Sequence, residues 1–414
     1  MGILQIIGKA ITSSALIFVV VVLVPGVPPD VEFEVINAKL PLELNGKLAP
    51  NVVLDRASPM ELDLEIEGPE SIAISPNGKD IYTGIVGGEI IRVNENGQVK
   101  IIAKFGQECE GEWDILKCGR VAGLRFDSNG TLFAADVALG VFKVNVDTGA
   151  YEQVVPMDIP IDGKLIKFAD DLDIDKDGRI YFSDASTNVD PSLMILELLG
   201  PPSGRLIQFD PKTRTSKVLI DNLHFANGVQ LSRDEDFVMV AELVRSRVWR
   251  YFLKGDRKGQ SEIFVDQLPG LPDNIRPNGK GGYFIVLASP IRTAGAPGLI
   301  DTLGPLPLIR KFVARTVVLV HGFLTLTEMF LPSTYVHQLQ FYVSHLGPLG
   351  QLNMQPTDVI IVEIDNSGKI IGSFHNKNGP ISHSSEVQVG KEFTYFGSAS
   401  AKHIYRMKTS DFKL

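Results

Sequence analysis

Cysteine is nearly absent from this chain: 414 residues hold two, Cys109 and Cys118. The stretch between them, CEGEWDILKC, offers too few soft ligands for zinc. A disulfide closing a surface loop is the reading that remains, and it places the body of the protein in an oxidising compartment. Basic runs are missing as well. Forty Lys and Arg against 49 Asp and Glu leave a formal net charge of −9, which excludes a nucleic-acid partner and suits a cation. No Gly-rich phosphate loop and no G-x-S-x-G elbow occur, so the P-loop and elbow-serine classes of enzyme are excluded too.

Long apolar runs are confined to two places. Between Ile3 and Val24 the only charge is Lys9, and a helix needs roughly 20 residues to span a bilayer. A small residue is wanted at −3 and −1 of a signal-peptidase site, and VLVPGVPPD lacks that arrangement. Residues 1–25 are therefore expected to be a short cytoplasmic tail and an uncleaved signal anchor, with a linker over 26–50. Cleavage would instead give a secreted protein, and a buried core helix is the plainest alternative. An anchor of this kind gives a single-pass type II protein of the endoplasmic reticulum or plasma membrane, its body lumenal or extracellular. Asn129-Gly130-Thr131 is the one N-x-S/T sequon, and its turn, DSNGT, could carry a glycan. The second apolar region lies within 290–357, where PLIRKFVARTVVLVHGFLTLTEMFL has helical rather than alternating spacing. It is expected to be a lid on the body or an amphipathic face resting on the membrane.

Everything else after Pro50 is short β-type runs separated by turns. Strand, PNG or DSNG or DKDG turn, strand, Gly, strand recurs along the chain, with Asn77, Asn129 and Asp177 about 50 residues apart. Four strands per unit and six units predict an all-β, six-bladed β-propeller over 51–414. No blade can bury both of its faces alone, so the ring must close, and 51–67 is available to supply the closing strand.

Four units begin with an oxygen-bearing residue in a stiff setting: Glu70 in GPESIAIS, Asp170 in KFADDLDI, Asn227 in HFANGVQLS, and Asp273 in LPGLPDNIRP. Asp and Asn also favour turns for purely local reasons. At the same point of four repeats, however, they would meet at the propeller axis as carboxylate and amide oxygens only. Such a set selects Ca2+, which takes six to eight oxygens in flexible geometry, over magnesium or zinc.

At these residues the chain resembles the strictosidine synthase-like six-bladed propellers, and within them a membrane-anchored animal branch. GPESIA, the paired cysteines followed by GRVAGLRF, NGTLFAAD, FANGVQLS with VMVAE downstream, PGLPDNIRP, and SEVQV with FGS carry the resemblance. It implies calcium contacts at Glu70, Asp170, Asn227 and Asp273. Asp170-Asp171 stands where the family commonly has Asn-Asp, so the site would hold three carboxylates and one amide. The resemblance also implies a weak arylesterase-type activity on esters or lactones, with the ion polarising a carbonyl.

A general base is not marked by any motif. His224 lies three residues before Asn227, and His383 three before Glu386. Glu386 itself falls in SSEVQV, which resembles the region of the catalytic glutamate in the plant condensing enzymes. Strictosidine synthesis is not expected, because the 290–357 insertion departs from the pocket that reaction needs. Asp136 and Asp184 sit at matching points of their units and read as repeat architecture. Two functions follow: a membrane-anchored, calcium-dependent hydrolase of small ester or lactone substrates, or a non-catalytic, calcium-stabilised propeller that acts as a binding or adhesion protein at the cell surface, with a surface protein as its partner.

Overall fold

Six four-stranded antiparallel sheets make up the body of the computed structural model, which describes residues 3–37, 39–290, 299–345 and 359–413. Their first strands are Ile72–Ile74, Val121–Phe126, Ala169–Ile174, Ala226–Leu231, Gly270–Pro277 and Ser384–Val389. Each touches the first strand of the next sheet, and the last touches the first, so these strands ring an axis. The protein is a six-bladed β-propeller. In blade 6, Ser58–Pro59 pairs with Tyr405–Lys408, so a strand from the start of the body closes the ring. In blade 5, the second and third strands, Tyr283–Pro290 and Val359–Ile364, are paired neighbours despite the 68 positions of chain between them.

Apolar alternation places the core between blades rather than within them. Phe133, Val141 and Val155 of blade 2 meet Leu172, Ile180 and Phe182 of blade 3. Ile72, Ile81 and Ile91 of blade 1 meet Ile404 and Tyr395 of blade 6. Each blade interface holds one such cluster. The recurring turns are held by one polar side chain each. Asp127 Oδ1 accepts from the backbone N–H groups of Asn129 and Thr131, and Asp175 Oδ1 does the same for Asp177 and Arg179. Asn278 Oδ1 repeats the pattern with Lys280 and Gly282. This is why an Asp or Asn opens the first turn of blades 2, 3 and 5.

Among the described residues, six helices decorate the ring: α1 (Ile3–Leu23), α2 (Ile115–Cys118), α3 (Met194–Leu199), α4 (Leu299–Leu303), α5 (Pro307–Phe330) and α6 (Thr334–Ser344). The last three belong to the insertion in blade 5; its residues 291–298 and 346–357 lie outside the described residues, as do residues 1 and 2 of the expected tail. Ala314 and Val317 of α5 pack on Ile195, Leu196 and Leu199 of α3, with Phe33 from the linker. Thus the insertion forms a helical cap over one end of the propeller. Cys109 and Cys118 are joined by a disulfide in the blade 1 to blade 2 connection, their Cα atoms 5.7 Å apart.

Candidate metal centre at the propeller axis

Five of the six innermost strands break their pairing register near the axis. The breaks fall between Val121 and Gly123, Ala169 and Leu172, Ala226 and Val229, Pro272 and Ile275, and Ser384 and Glu386. A β-bulge of this kind leaves residues unpaired and re-aims their side chains. The residues extruded are Asp170 and Asp171 in blade 3, Asn227 and Gly228 in blade 4, and Asp273 and Asn274 in blade 5. Neighbouring strands approach very closely here. A Cβ on Gly228 would stand 2.4 Å from the Asp273 carbonyl oxygen, and one on Gly123 would stand 2.7 Å from that of Asp170. Only glycine permits that contact. Just upstream, Phe225 is buried with φ at +64°, a region bulky residues avoid, and its ring meets that of Phe168 edge-on at 5.4 Å.

All four expected ligands lie at this end of the axis. Asp170, Asn227 and Asp273 are buried, and the Glu70 side chain is 14% exposed. The Asn227 Oδ1, Asp273 Oδ1 and Asn274 Oδ1 atoms are buried without a hydrogen-bond partner. Asp273 carries a carboxyl pushed well above the usual range, first by burial and then by the charges of Glu70, Glu386 and Asp171. Burial, then Glu70, Asp273 and Asp171, push Asp170 the same way. Glu70 is raised by burial, offset by Arg120. Buried acceptors with no donor, next to carboxylates that repel one another, are what a hard cation satisfies. Among the described residues the acidic side chains do not close into a three-ligand group. Two features account for that: one donor is an amide, and Arg120 Nε holds Glu70 Oε2 at 3.1 Å while its Nη2 bonds the Ala399 carbonyl.

Alongside this set runs a layer the sequence did not reveal. Arg276 donates from Nη1 to Asp171 Oδ2 at 2.9 Å and from Nε to Glu386 Oε2 at 2.8 Å. Ser71 donates to the same Glu386 oxygen at 3.1 Å and accepts from Leu124 N. Asp171 Oδ2 also accepts from Val229 N and lies 3.6 Å from Arg125. Residues of all six blades thus join in one buried network. Glu386 Oε1 accepts from Val387 N, so both of its oxygens are taken. Arg276 and Arg125 stand at the same point of their innermost strands, a recurrence visible only once the register is known, and in the sequence only the position of Asp171 beside Asp170 hinted at the layer.

The histidines stand elsewhere. His224 Nε2 bonds the Glu197 carbonyl at 2.9 Å, its Nδ1 is buried without a partner, and its pKa falls to about 3 through burial and then the charge of Arg245. His383 is half-buried at φ +47°, with its pKa lowered by burial. Asp184 pairs with Arg205 at 2.6 Å and Asp136 accepts from Ala138 and Leu139 N–H, so these two serve the architecture. Asn129 is exposed at its turn.

The strictosidine synthase family matches residues 170–256, and the strictosidine synthase-like N-terminal family matches 46–93. The adipocyte plasma membrane-associated protein of Rattus norvegicus is 34% identical over 375 residues, covering 89% of this chain and 90% of its own. The Homo sapiens protein of that name is 34% identical over 90% of this chain and 82% of its own. The Drosophila melanogaster relative, adipocyte plasma membrane-associated protein Hemomucin, is 32% identical over 99% of this chain and 70% of its own. Among solved structures, a gluconolactonase from Xanthomonas campestris aligns with TM-score 0.48 and 12% identity over 86% of this chain and 88% of that one. A calcium-binding protein, regucalcin, from Agrobacterium tumefaciens aligns with TM-score 0.49 and 11% identity over 86% and 92%. Likeness at that level speaks to neither substrate nor ion.

Proposed function

The chain belongs to the adipocyte plasma membrane-associated proteins, within the strictosidine synthase-like group, and from there we propose a membrane-anchored, calcium-dependent hydrolase of ester or lactone type. The observation that carries the reading is the pair of buried, unpartnered oxygens Asn227 Oδ1 and Asp273 Oδ1 beside the mutually repelling Asp170, Asp273 and Glu70. Asp170, Asn227, Asp273 and Glu70 would hold Ca2+, with the Asn274 amide in reserve. Bound there, the ion supplies Lewis acidity toward a carbonyl oxygen. Arg120 fixes the Glu70 carboxylate, and Arg276 holds Asp171, the neighbour of Asp170, rigid from the buried layer. Glu386 has both oxygens taken and the unpartnered Nδ1 of His224 is buried out of reach of water, so the acceptor for a hydrolytic water's proton is to be sought among the axial carboxylates.

Helix α1 would anchor the protein as a type II chain, with the propeller, its disulfide and Asn129 on the lumenal or extracellular side. The test is turnover of aryl esters and lactones by the full chain in detergent, with calcium and after chelation, alongside Asp273→Asn. Calcium-dependent turnover lost in the variant supports the hydrolase. The alternative is the non-catalytic reading, for which open surface hollows of about 360 and 460 Å³ at the rim, lined by residues such as Leu42 and Ile370 or Ser58 and Arg406, offer binding ground. Calcium-linked stability with no turnover across the panel would select that reading and overturn the first.

A further inference from the structure

Helix α5 is long and apolar enough to cross a membrane. Its packing forbids it. Ala314 and Val317 are buried against α3, Arg310 Nη1 bonds the Leu199 carbonyl at 2.7 Å, and its Nη2 bonds the Glu34 carbonyl. These contacts hold α5 on the propeller. Its other side carries Leu319, Val320, Phe323, Leu326 and Phe330, all exposed and spaced as one helical stripe, with Phe323 at 67% and Phe330 at 76%. Leu331, Tyr335, Leu339 and Tyr342 continue that apolar surface onto α6 and the turn before it. Beneath, α6 packs on Glu112–Asp114 and Pro191–Leu193. The hairpin therefore has a propeller side and an apolar, uncovered side.

We propose that this outer face of α5 and α6 is a lipid seat, lying in the bilayer that α1 enters, so that the capped end of the propeller rests on the membrane. The inference rests on the reading of α1 as the anchor, and three observations choose lipid as the occupant. The first is charge. From Thr316 to His345 the sole Asp, Glu, Lys or Arg is Glu328, which is turned toward His337 Nδ1 at 3.9 Å; that histidine in turn reaches Asp114 at 3.3 Å. A protein partner would ask for a polar rim, and the charge here is drawn inward instead. The second is the placement of Tyr335 and Tyr342, exposed aromatics of the kind enriched at the headgroup level.

The third is continuity with α1. Arg315 of α5 donates from Nη1 to the carbonyls of Val21 at 3.0 Å and of Val22 and Val24 at 2.9 Å, and its Nη2 reaches Asp30 at 3.2 Å. A buried guanidinium thereby satisfies the free carbonyls at the end of α1 and offsets the negative end of its dipole. Phe18 and Phe312 add a ring contact at 5.1 Å. The end of α1 is thus fastened to the hairpin, and the exposed Leu16, Ile17, Val19, Val20 and Leu23 adjoin it. Wherever α1 leaves the bilayer, α5 is at the same surface. A helix held flat with an apolar outer stripe is the interfacial, non-spanning arrangement.

The test uses the full chain in phosphatidylcholine vesicles containing acyl-brominated lipid. No free cysteine is present, so one introduced cysteine takes an environment-sensitive fluorophore alone. Phe330→Cys reports the seat, Leu16→Cys the anchor, and Ile101→Cys the propeller rim. Phe330 lies roughly 22 Å along α5 from Arg315, so insertion of α1 does not by itself immerse it. The expected result is bromine quenching at Phe330→Cys comparable to that at Leu16→Cys, with none at Ile101→Cys; Phe323→Cys and Leu326→Cys should follow Phe330→Cys. Quenching at Leu16→Cys alone overturns the seat and leaves the anchor standing. Quenching at Phe330→Cys alone supports the seat and overturns the anchor. Energy transfer between labelled copies without bromine quenching overturns the proposal in favour of self-association.

Discussion

The Arg276 guanidinium and the Glu386 carboxylate, from blades 5 and 6, meet at 2.8 Å near the propeller axis, both fully buried. Asp171 of blade 3 completes the bridge from the other side of the guanidinium. Removing the cation should strand two carboxylates away from water. Arg276→Met is expected to lower stability by about 3–5 kcal/mol, read by denaturant unfolding. Adding Glu386→Gln and Asp171→Asn should restore much of the loss, because the charges left uncompensated are then gone.

Asp273 gives a prediction whose sign depends on calcium. Without the ion its carboxyl is buried among Glu70, Glu386 and Asp171, so Asp273→Asn should unfold at a higher temperature than the wild type in chelator. With calcium the order should reverse, since a ligand that binds only the folded state raises stability with its concentration over Kd. Crossing melting curves are the expected result. Curves that keep one order in both conditions would remove calcium from the axis.

Glu197 on α3 is buried, accepts from Ser186 and Ser203, and has a pKa raised to about 7, chiefly by burial. The folded protein holds this proton more tightly than the unfolded chain. Between the unfolded value near 4.5 and about 7, stability should therefore fall as pH rises, by up to about 3 kcal/mol. Glu197→Gln cannot lose the proton, so its unfolding free energy should flatten across that window and exceed the wild type's at pH 8.

The disulfide supports the cap as well as its own loop, because α6 rests on Glu112–Asp114 inside it. Cys109→Ser with Cys118→Ser is expected to cost about 2–3 kcal/mol in the loop. Limited proteolysis should then cut first between residues 107 and 117, before any blade opens.

Much of this was legible in the order of residues. The DSNG and DKDG turns repeat because each places an Asp or Asn where its side chain binds two following backbone N–H groups, and that chemistry is local. Glu70, Asp170, Asn227 and Asp273 could be found because they recur at one point of the repeat, although the last three lie at the bulge inside the innermost strand rather than before it. Arg276, Arg125 and Ser71 could not. They mark no turn, and although Arg125 and Arg276 stand at the same point of their innermost strands, the partners of this set lie as far as 315 positions away in sequence.

The insertion divides in the same way. Helical spacing through 307–330 announced α5, but the stripe it buries and the stripe it exposes were set by Leu199, Val21 and Glu34, which meet it only in the folded chain. Glu386 shows the limit most plainly: a resemblance made it a candidate base, and the structure commits both oxygens to Arg276, Ser71 and Val387. The sequence by itself determined the six-fold repeat, the axial oxygens and the apolar helices, because each rests on turn chemistry or periodicity within a few residues. Tertiary structure alone decided which carboxylates are paired and which oxygens stay unsatisfied. Closing a ring brings residues of all six blades to one axis, and a hydrogen bond reports distance in space and not along the chain.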